Sequence, residues 1–325
     1  MNTIKDFQNK LELWTNCTRA YSLPITILNA LVAYIFALKN SGNIILGILA
    51  IIGSCMVHLA TNLIDDYLDY KILSKNDSYM NSAQNCKCLL IRSGQVTLKQ
   101  IKIAIITLLT IAAGIGAVLF CISGPYVLLL AFIGLLVALT YQKFSTIGLG
   151  ELAVIIAYGP LLYEGIYYVM TSSFSNNLLV ISFACAMFTN TILYTHMLMD
   201  FDSDACSHKK TLCRILGTKI NALNFILVFY ITSFLLIIYI ALKTTNLWYL
   251  LGLLTTPMII ELYKLLAIYN TDKTHTPKAF FWHYPLDNWD NVIKTPDAPF
   301  YFRFFYSRNI MTYFMILTCL AIILG

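Results

Sequence analysis

Long apolar stretches alternate with short polar connections along the whole chain, and this alternation predicts membrane-spanning helices. About 20 apolar residues is the length that an α-helix needs to cross the hydrocarbon core of a bilayer. Such stretches cover residues 21–38, 44–64, 101–122, 126–141, 149–170, 178–199, 220–242, 247–267 and 310–324. The sequence therefore predicts an all-α fold, a polytopic membrane bundle of nine transmembrane helices, built as a single domain over residues 1–325.

The connections between these stretches are of two alternating kinds, short uncharged turns and longer charged loops. Of the 22 Lys and Arg residues, only Lys39 and Lys243 flank an uncharged turn. Basic residues concentrate on the cytoplasmic side of membrane proteins. We therefore expect a multi-pass protein of the cytoplasmic membrane, with the N-terminus and the charged loops in the cytoplasm.

Composition supports a membrane protein and argues against other classes. Hydrophobic residues make up 58% of the chain and charged residues 12%, with a mean hydropathy of +0.71, which a soluble core cannot accommodate. The Lys and Arg residues behind the formal charge of +6 lie mostly in the N-terminal segment, the charged loops and their flanks. As partners we expect a lipid bilayer, no nucleic acid and no obligate protein partner. Cys86, Cys88, Cys206, His208 and Cys213 match no zinc module in their spacing.

The last charged loop, predicted at residues 268–309, is long and rich in proline and aromatic residues. Its final part, residues 300–306, contains six aromatic side chains and one arginine. Such a segment is typical of a membrane–water interface. We expect an interfacial anchor, with a lid over a substrate as the alternative.

Two of the apolar stretches end in carboxylates at helical spacing. The first ends in Asn62, Asp65, Asp66 and Asp69, with His58 one turn earlier. If the helix continues, residues at i, i+3, i+4 and i+7 share a face. The motif is predicted to lie at the cytoplasmic mouth of the bundle.

The second acidic stretch has the same layout, with Asp200, Asp202 and Asp204 following His196. Carboxylates at helix ends are often solvated loop residues, but ionisable groups at membrane depth are costly and usually functional. Opposed carboxylates repel unless cations lie between them. Mg²⁺ fits best, because it binds through one or two carboxylates with water and substrate phosphates.

Bases for phosphate oxygens are predicted on the same face. They are Arg19, Lys87, Arg92, Lys209 and Lys210. A diphosphate bridged by metal and contacted by these residues would be neutralised at the bilayer surface. A basic residue at this surface more often only reflects the cytoplasmic location of its loop, so each base taken alone is a weak candidate.

These motifs resemble those of the UbiA-type intramembrane prenyltransferases. The resemblance rests on Asn62-x-x-x-Asp66-x-x-Asp69 and Asp200-x-x-x-Asp204 in order, and it is strongest over residues 19–217. Residues 92–96, 148–151, 158–160, 165–169, 209–212 and 216–217 are similar to one branch, the 1,4-dihydroxy-2-naphthoate polyprenyltransferases. The chain departs from that branch at residues 196–199, where paired Asn and an Arg are usual, and at His208 and Glu164.

The resemblance implies an enzyme that uses Mg²⁺ to transfer a polyprenyl group from its diphosphate to an aromatic quinone precursor in menaquinone synthesis. It implies metal binding by Asn62, Asp65, Asp66, Asp69, Asp200 and Asp204. Tyr141, with Tyr67, is implied to stabilise an allylic carbocation. The residues implied to contact the substrates are Arg19, His58, Lys87, Arg92, His196 and Lys209.

Alternatives stay open at two points. His58 and His196 either contact the acceptor or form hydrogen bonds between helices. The acceptor is alternatively a hydroxybenzoate, haem or a lipid glycerol phosphate. From another class, an ion-coupled transporter would bind its cation at the same acidic pairs.

Overall fold

The computed structural model describes residues 2–73, 89–206 and 210–325, and the regular elements in these ranges are helices. The long helices are α1 (Asn2–Cys17), α2 (Leu23–Lys39), α3 (Ile44–Leu73), α4 (Leu98–Ser123), α5 (Tyr126–Thr146), α6 (Gly150–Thr171), α7 (Asn176–Met199), α8 (Lys219–Thr244), α9 (Leu247–Thr271) and α10 (Ala298–Leu324). Short helical turns lie at Ala20–Ser22, Leu89–Arg92, Phe201–Cys206, Leu212–Ile215, Phe281–His283 and Trp289–Val292.

The prediction of an all-α membrane bundle is confirmed. Within the described ranges, eight helices are long and apolar enough to cross a bilayer. The predicted fourth span corresponds to α5. Its apolar part, Tyr126–Tyr141, is too short to be counted among these eight. The count of nine spans is therefore not confirmed, because the fourth stretch is the one whose length decides it.

The last loop is shorter than predicted at both ends. α9 continues to Thr271 and α10 already begins at Ala298, with Pro299 in its first turn. Proline is tolerated there because the first helical N–H groups have no partner within the helix. The aromatic run 300–306 therefore belongs to α10, where Phe302 and Tyr306 are fully buried. The prediction of a headgroup-level segment is wrong for this run.

A distortion in α6 lets it approach α7 closely. Residues Ala157–Leu161 form a π-helical turn that contains Pro160, as expected for a proline inside a helix. A Cβ on Gly159 would lie 3.0 Å from Cβ of Ala186 and 3.3 Å from the carbonyl oxygen of Ser182. Both distances are shorter than an ordinary van der Waals contact, so an alanine here would require α7 to move by a few tenths of an ångström.

The chain divides into two compact units. The first comprises residues 1–27 and 44–139, and the second comprises residues 28–43 and 140–325. In the first unit α3 packs against α4, and a core at one end joins α1 to both. The buried members of that core are Cys17, Leu63, Ile91, Val96 and Ile101. That core fixes the chain that precedes α2 next to the acidic end of α3.

In the second unit α7 lies at the centre, against α6, α8 and α10. Buried hydrogen bonds connect the helices inside this apolar unit. Asn29 donates to the Thr189 hydroxyl at 2.9 Å, and Ser233 donates to the Ala184 carbonyl at 2.8 Å. These bonds fix the rotation of α7 and so the direction of the side chains at its end.

Candidate active site

The first acidic motif lies on one uninterrupted helix. α3 runs from Ile44 to Leu73, so Asn62, Asp66 and Asp69 lie on a common face. Their side chains are half-buried near the end of a membrane-spanning helix. The continuity that the sequence prediction required is therefore present.

Arg19 is held against this motif by the backbone. It lies between α1 and the turn Ala20–Ser22 in the left-handed region, with φ at 52°. Its guanidinium donates a hydrogen bond to the Asp66 carboxylate and lies 3.5 Å from a carboxylate oxygen of Asp65. Burial alone would lower the pKa of Arg19, but the two carboxylates outweigh that effect and raise the pKa above its usual value. A permanent positive charge thus contacts the acids.

His58 and Asn62 contact the chain at the start of α2. The Asn62 amide donates to the Thr18 carbonyl at 2.9 Å and to the Ser22 hydroxyl at 3.3 Å. The His58 ring lies between two hydroxyls, with Nε2 2.7 Å from Ser22 Oγ and Nδ1 2.5 Å from Thr26 Oγ1. These contacts favour the alternative of a hydrogen bond between helices for His58. Asn62 uses its amide nitrogen here, so its carboxamide oxygen is the atom suited to a cation.

Arg92 ends a short helix whose following turn is fixed. The N–H of Gly94, at φ 72°, bonds to the Ile91 carbonyl, and the N–H of Val96 bonds to the Leu90 carbonyl. Val96 is buried in the core of the first unit. This turn sets the position of Arg92. Lys87, Cys86 and Cys88 lie outside the described residues, as do Lys209 and His208.

The second acidic motif follows directly on α7. Asp200 caps the helix with φ −88° and ψ 7°, and a new helical turn, Phe201–Cys206, begins after it. The N–H of Asp204 donates to the Asp200 carbonyl at 2.8 Å. Asp200 and Asp204 therefore stand one helical turn apart on one side. Asp204 is buried and Asp200 is half-buried.

Asp202, the middle acid, makes different contacts. Its Oδ2 accepts from Lys219 Nζ at 2.7 Å and from Lys273 Nζ at 2.9 Å. These hydrogen bonds hold the pKa of Asp202 below its usual value. Asp202 therefore joins the start of α8 to the segment after α9, and it leaves Asp200 and Asp204 as the pair suited to metal.

His196 lies between the second motif and α10. Its Nδ1 is 3.2 Å from Asp200 Oδ2, and its ring meets Phe300 and Phe304 edge-on at centroid distances of 5.1 and 6.0 Å. A hydrogen bond of 3.3 Å between the Thr195 and Ser307 hydroxyls holds the two helices together at this level. The sequence prediction missed the two phenylalanines because the run was assigned to a loop.

The helix that carries Tyr141 is fixed to the segment after the second motif. The N–H of Lys210 donates to the Thr146 carbonyl at 3.3 Å. Gly148 has φ at 81°, and a Cβ there would lie 2.1 Å from Ile215 Cδ1. The half-buried Tyr141 is thus on a helix whose end is held in place, and its carbocation role stays a prediction.

Glu151 is a further acid that the sequence prediction left without a role. It is buried, and its Oε1 has no hydrogen-bond partner among the described residues. Burial raises the pKa of the Cys213 thiol, and the carboxylates of Glu151 and Asp204 add to this. These three groups are therefore neighbours. In the sequence, only the short motif at residues 148–151 indicated that Glu151 could have a role.

The donor set at the two motifs fits a hard cation. It consists of carboxylates and one carboxamide, the oxygen ligands that Mg²⁺ prefers. Within the described ranges, no group of three or more His, Cys, Asp or Glu side chains is placed to hold a metal alone. A cation that binds through few protein ligands and completes its shell with water and phosphate fits such sites.

Comparison with known proteins gives the family. The model of the UbiA prenyltransferase family matches residues 26–284. The 1,4-dihydroxy-2-naphthoate octaprenyltransferase of Escherichia coli is 24% identical over 273 residues, 78% of this chain and 84% of the relative. The enzyme of the same name from Haemophilus influenzae is 23% identical over 231 residues, 67% of this chain and 73% of the relative.

A solved structure shares the fold. A UbiA homologue from Archaeoglobus fulgidus, bound to GPP and Mg²⁺, matches with a TM-score of 0.57 and 11% identity, over 94% of this chain and 99% of that one. The family match covers most of the chain and includes both acidic motifs. The chain therefore belongs to the UbiA prenyltransferase family and is a membrane enzyme that transfers prenyl groups.

Proposed function

We propose that this enzyme transfers a polyprenyl group from its diphosphate to 1,4-dihydroxy-2-naphthoate, a step of menaquinone synthesis, with Mg²⁺ at the acidic motifs. The observation that carries the proposal is the contact of Arg19 with Asp65 and Asp66 at the end of a membrane helix. A base and carboxylates held together there suit a diphosphate and its cation. Membership of an enzyme family speaks against an ion-coupled transporter.

The donor is bound through charge. Asp66 and Asp69 in the first unit, and Asp200 and Asp204 in the second, are the residues that would hold Mg²⁺. A cation held by these carboxylates would offset the negative charge of the diphosphate and so would make it a better leaving group. Arg19 and Arg92 donate hydrogen bonds to its oxygens as the carbon–oxygen bond breaks, and the electron pair leaves with the diphosphate.

The acceptor is an electron-rich ring, which attacks the allylic carbocation. Tyr141 offers an aromatic face that stabilises that cation, and the apolar helices exclude water from it. In the second unit, His196 stands between Asp200 and Phe300, where a flat acceptor can pack. The resemblance implies that the ring then loses its carboxylate as carbon dioxide. For an acceptor without that group, a proton leaves instead.

Location follows from the charge pattern. The protein is a multi-pass membrane protein, with eight helices of sufficient length among the described residues. We place it in the cytoplasmic membrane with both acidic motifs towards the cytoplasm, where a water-soluble naphthoate is available. The distribution of Lys and Arg supports this orientation.

The test is mass spectrometry of lipids and quinones from membranes with and without the protein. We expect a polyprenylated naphthoquinone that depends on the intact gene. The alternative products are a prenylated hydroxybenzoate, a prenylated haem or a prenylated glycerol phosphate. If one of them accumulates instead, the proposed acceptor is wrong and prenyl transfer still stands.

A further inference from the structure

Arg303 carries a buried charge inside the second unit, where arginine is rarely fully buried. Its side chain is 0% exposed. Nε donates to the Leu265 carbonyl at 2.8 Å, and Nη1 donates to the carbonyls of Pro299 at 2.6 Å and His275 at 3.2 Å. All three acceptors are neutral main-chain groups that orient the guanidinium, and the Asp272 carboxylate acts on its charge through space.

One end of this guanidinium is unused. Nη2 is buried and has no hydrogen-bond partner among the described residues. A buried donor left without an acceptor costs free energy, and a charged one costs more. An anionic ligand would supply an acceptor for this donor. The fixed fork of arginine suits a carboxylate, which accepts hydrogen bonds through two oxygens.

The guanidinium lies on the helix that forms the aromatic wall of the second motif. Phe300, Arg303 and Phe304 are spaced i, i+3 and i+4 on α10, and both phenylalanines contact the ring of His196. Tyr269 of α9 lies under the guanidinium, with its ring centroid 4.9 Å from Cζ. The ends of α7, α9 and α10 thus bring the charge close to the second motif.

We propose that Arg303 binds the carboxylate of an aromatic acid acceptor whose ring packs against His196, Phe300 and Phe304. The proposal rests on the proposed function, because it needs an aromatic acid as substrate.

The test compares two ligands that differ by the carboxylate alone, 1-hydroxy-2-naphthoate and 1-naphthol. Their binding to the purified protein is measured without donor by titration calorimetry. We expect Arg303→Gln to weaken the naphthoate roughly 10- to 150-fold and to leave 1-naphthol unchanged, since the lost bond joins two charged groups. Arg303→Lys keeps the charge and loses the fork, so we expect an intermediate loss.

Arg308→Gln is the matched control. Arg308 lies on the same helix and pairs with Asp287, so its loss should leave the ratio of the two affinities unchanged. Thermal unfolding establishes that each variant is folded, and Arg303→Lys decides the matter if Arg303→Gln does not fold.

An equal loss for both ligands in a folded Arg303 variant, or no loss, would show that Arg303 only clamps α9 to α10 and would overturn the proposal. Turnover of the wild-type protein is read separately. A wild-type protein that prefers the naphthoate through Arg303 but does not prenylate 1,4-dihydroxy-2-naphthoate contradicts the proposed function alone.

Discussion

The imidazole of His196 lies 3.2 Å from a carboxylate oxygen of Asp200, one helical turn further along the chain. Asp200 belongs to the second acidic motif, and the other side of the His196 ring meets the aromatic side chains of Phe300 and Phe304. One residue therefore links the proposed cation site to an aromatic wall. An acceptor ring beside His196 would lie next to the acids that we propose to hold the leaving group's counter-ion.

His196→Ala should weaken use of the acceptor far more than use of the polyprenyl diphosphate. A lost hydrogen bond to a buried polar ligand would lower kcat/KM for the acceptor roughly 5- to 150-fold. Steady-state kinetics with each substrate varied in turn measure both values. His275→Ala, at an exposed histidine of the segment after α9, serves as the control. Equal losses for both substrates would show that His196 only packs against α10.

Asp202→Asn should leave prenyl transfer intact, whereas Asp200→Asn and Asp204→Asn should abolish most of it. Asp202 is held by two lysines, so we expect it to support structure and not to bind the proposed cation. A product assay on the three variants separates them. Activity that falls as far in Asp202→Asn as in Asp204→Asn would contradict the assignment.

The pH dependence of stability should also depend on Asp202. Its pKa is lower in the folded protein because Lys219 and Lys273 donate hydrogen bonds to it. The contribution is therefore present above the unfolded pKa of about 4 and is lost as the pH falls through the folded value. For such an exposed pair it amounts to at most about 1 kcal/mol. Thermal unfolding of wild type and Asp202→Asn should differ slightly at pH 7 and converge in acid, and a constant difference would contradict this.

Arg19→Ala should raise KM for the polyprenyl diphosphate and leave KM for the acceptor unchanged. Arg19 is the base in direct contact with the first acidic motif, and a charged hydrogen bond to phosphate is worth about 1.5–3 kcal/mol. Lys243→Ala, a basic residue beside an uncharged turn, is the matched control. The prediction fails if KM for the diphosphate is the same in both variants.

The orientation can be tested by labelling single cysteines. In a background without the native cysteines, Ser173→Cys should react with an impermeant reagent added outside intact cells, and Ser93→Cys should react only after permeabilisation. Both serines lie exposed in turns between helices. The reverse pattern would place the acidic motifs on the wrong side for a cytoplasmic acceptor.

The sequence predicted the helices well, because a bilayer imposes a length and an apolar composition that can be read directly. It also predicted that Asn62, Asp66 and Asp69 share a face, because an α-helix has 3.6 residues per turn whatever its tertiary contacts. It failed at residues 298–309, where several prolines suggested a loop. Pro299 stands in the first turn of α10, the one helical position that tolerates it well.

Other features depend on contacts that no spacing encodes. The left-handed backbone at Arg19 turns its side chain onto Asp66, and the two lysines on Asp202 come from distant segments. The burial of Arg303 requires three carbonyls from separate parts of the chain. Long-range packing decides each of these, so the sequence could predict the acids as candidates and could not assign their partners.

The central claim is that the two acidic motifs hold Mg²⁺ for transfer of a prenyl group to 1,4-dihydroxy-2-naphthoate. The most direct measurement is product formation by the purified protein, followed by mass spectrometry, with an excess of a polyprenyl diphosphate of defined length. We expect prenylated product with Mg²⁺, none after chelation with EDTA, and losses on the order of 100-fold or more for Asp69→Asn and Asp204→Asn. Full turnover by both variants, or by the wild type in EDTA, would contradict the account.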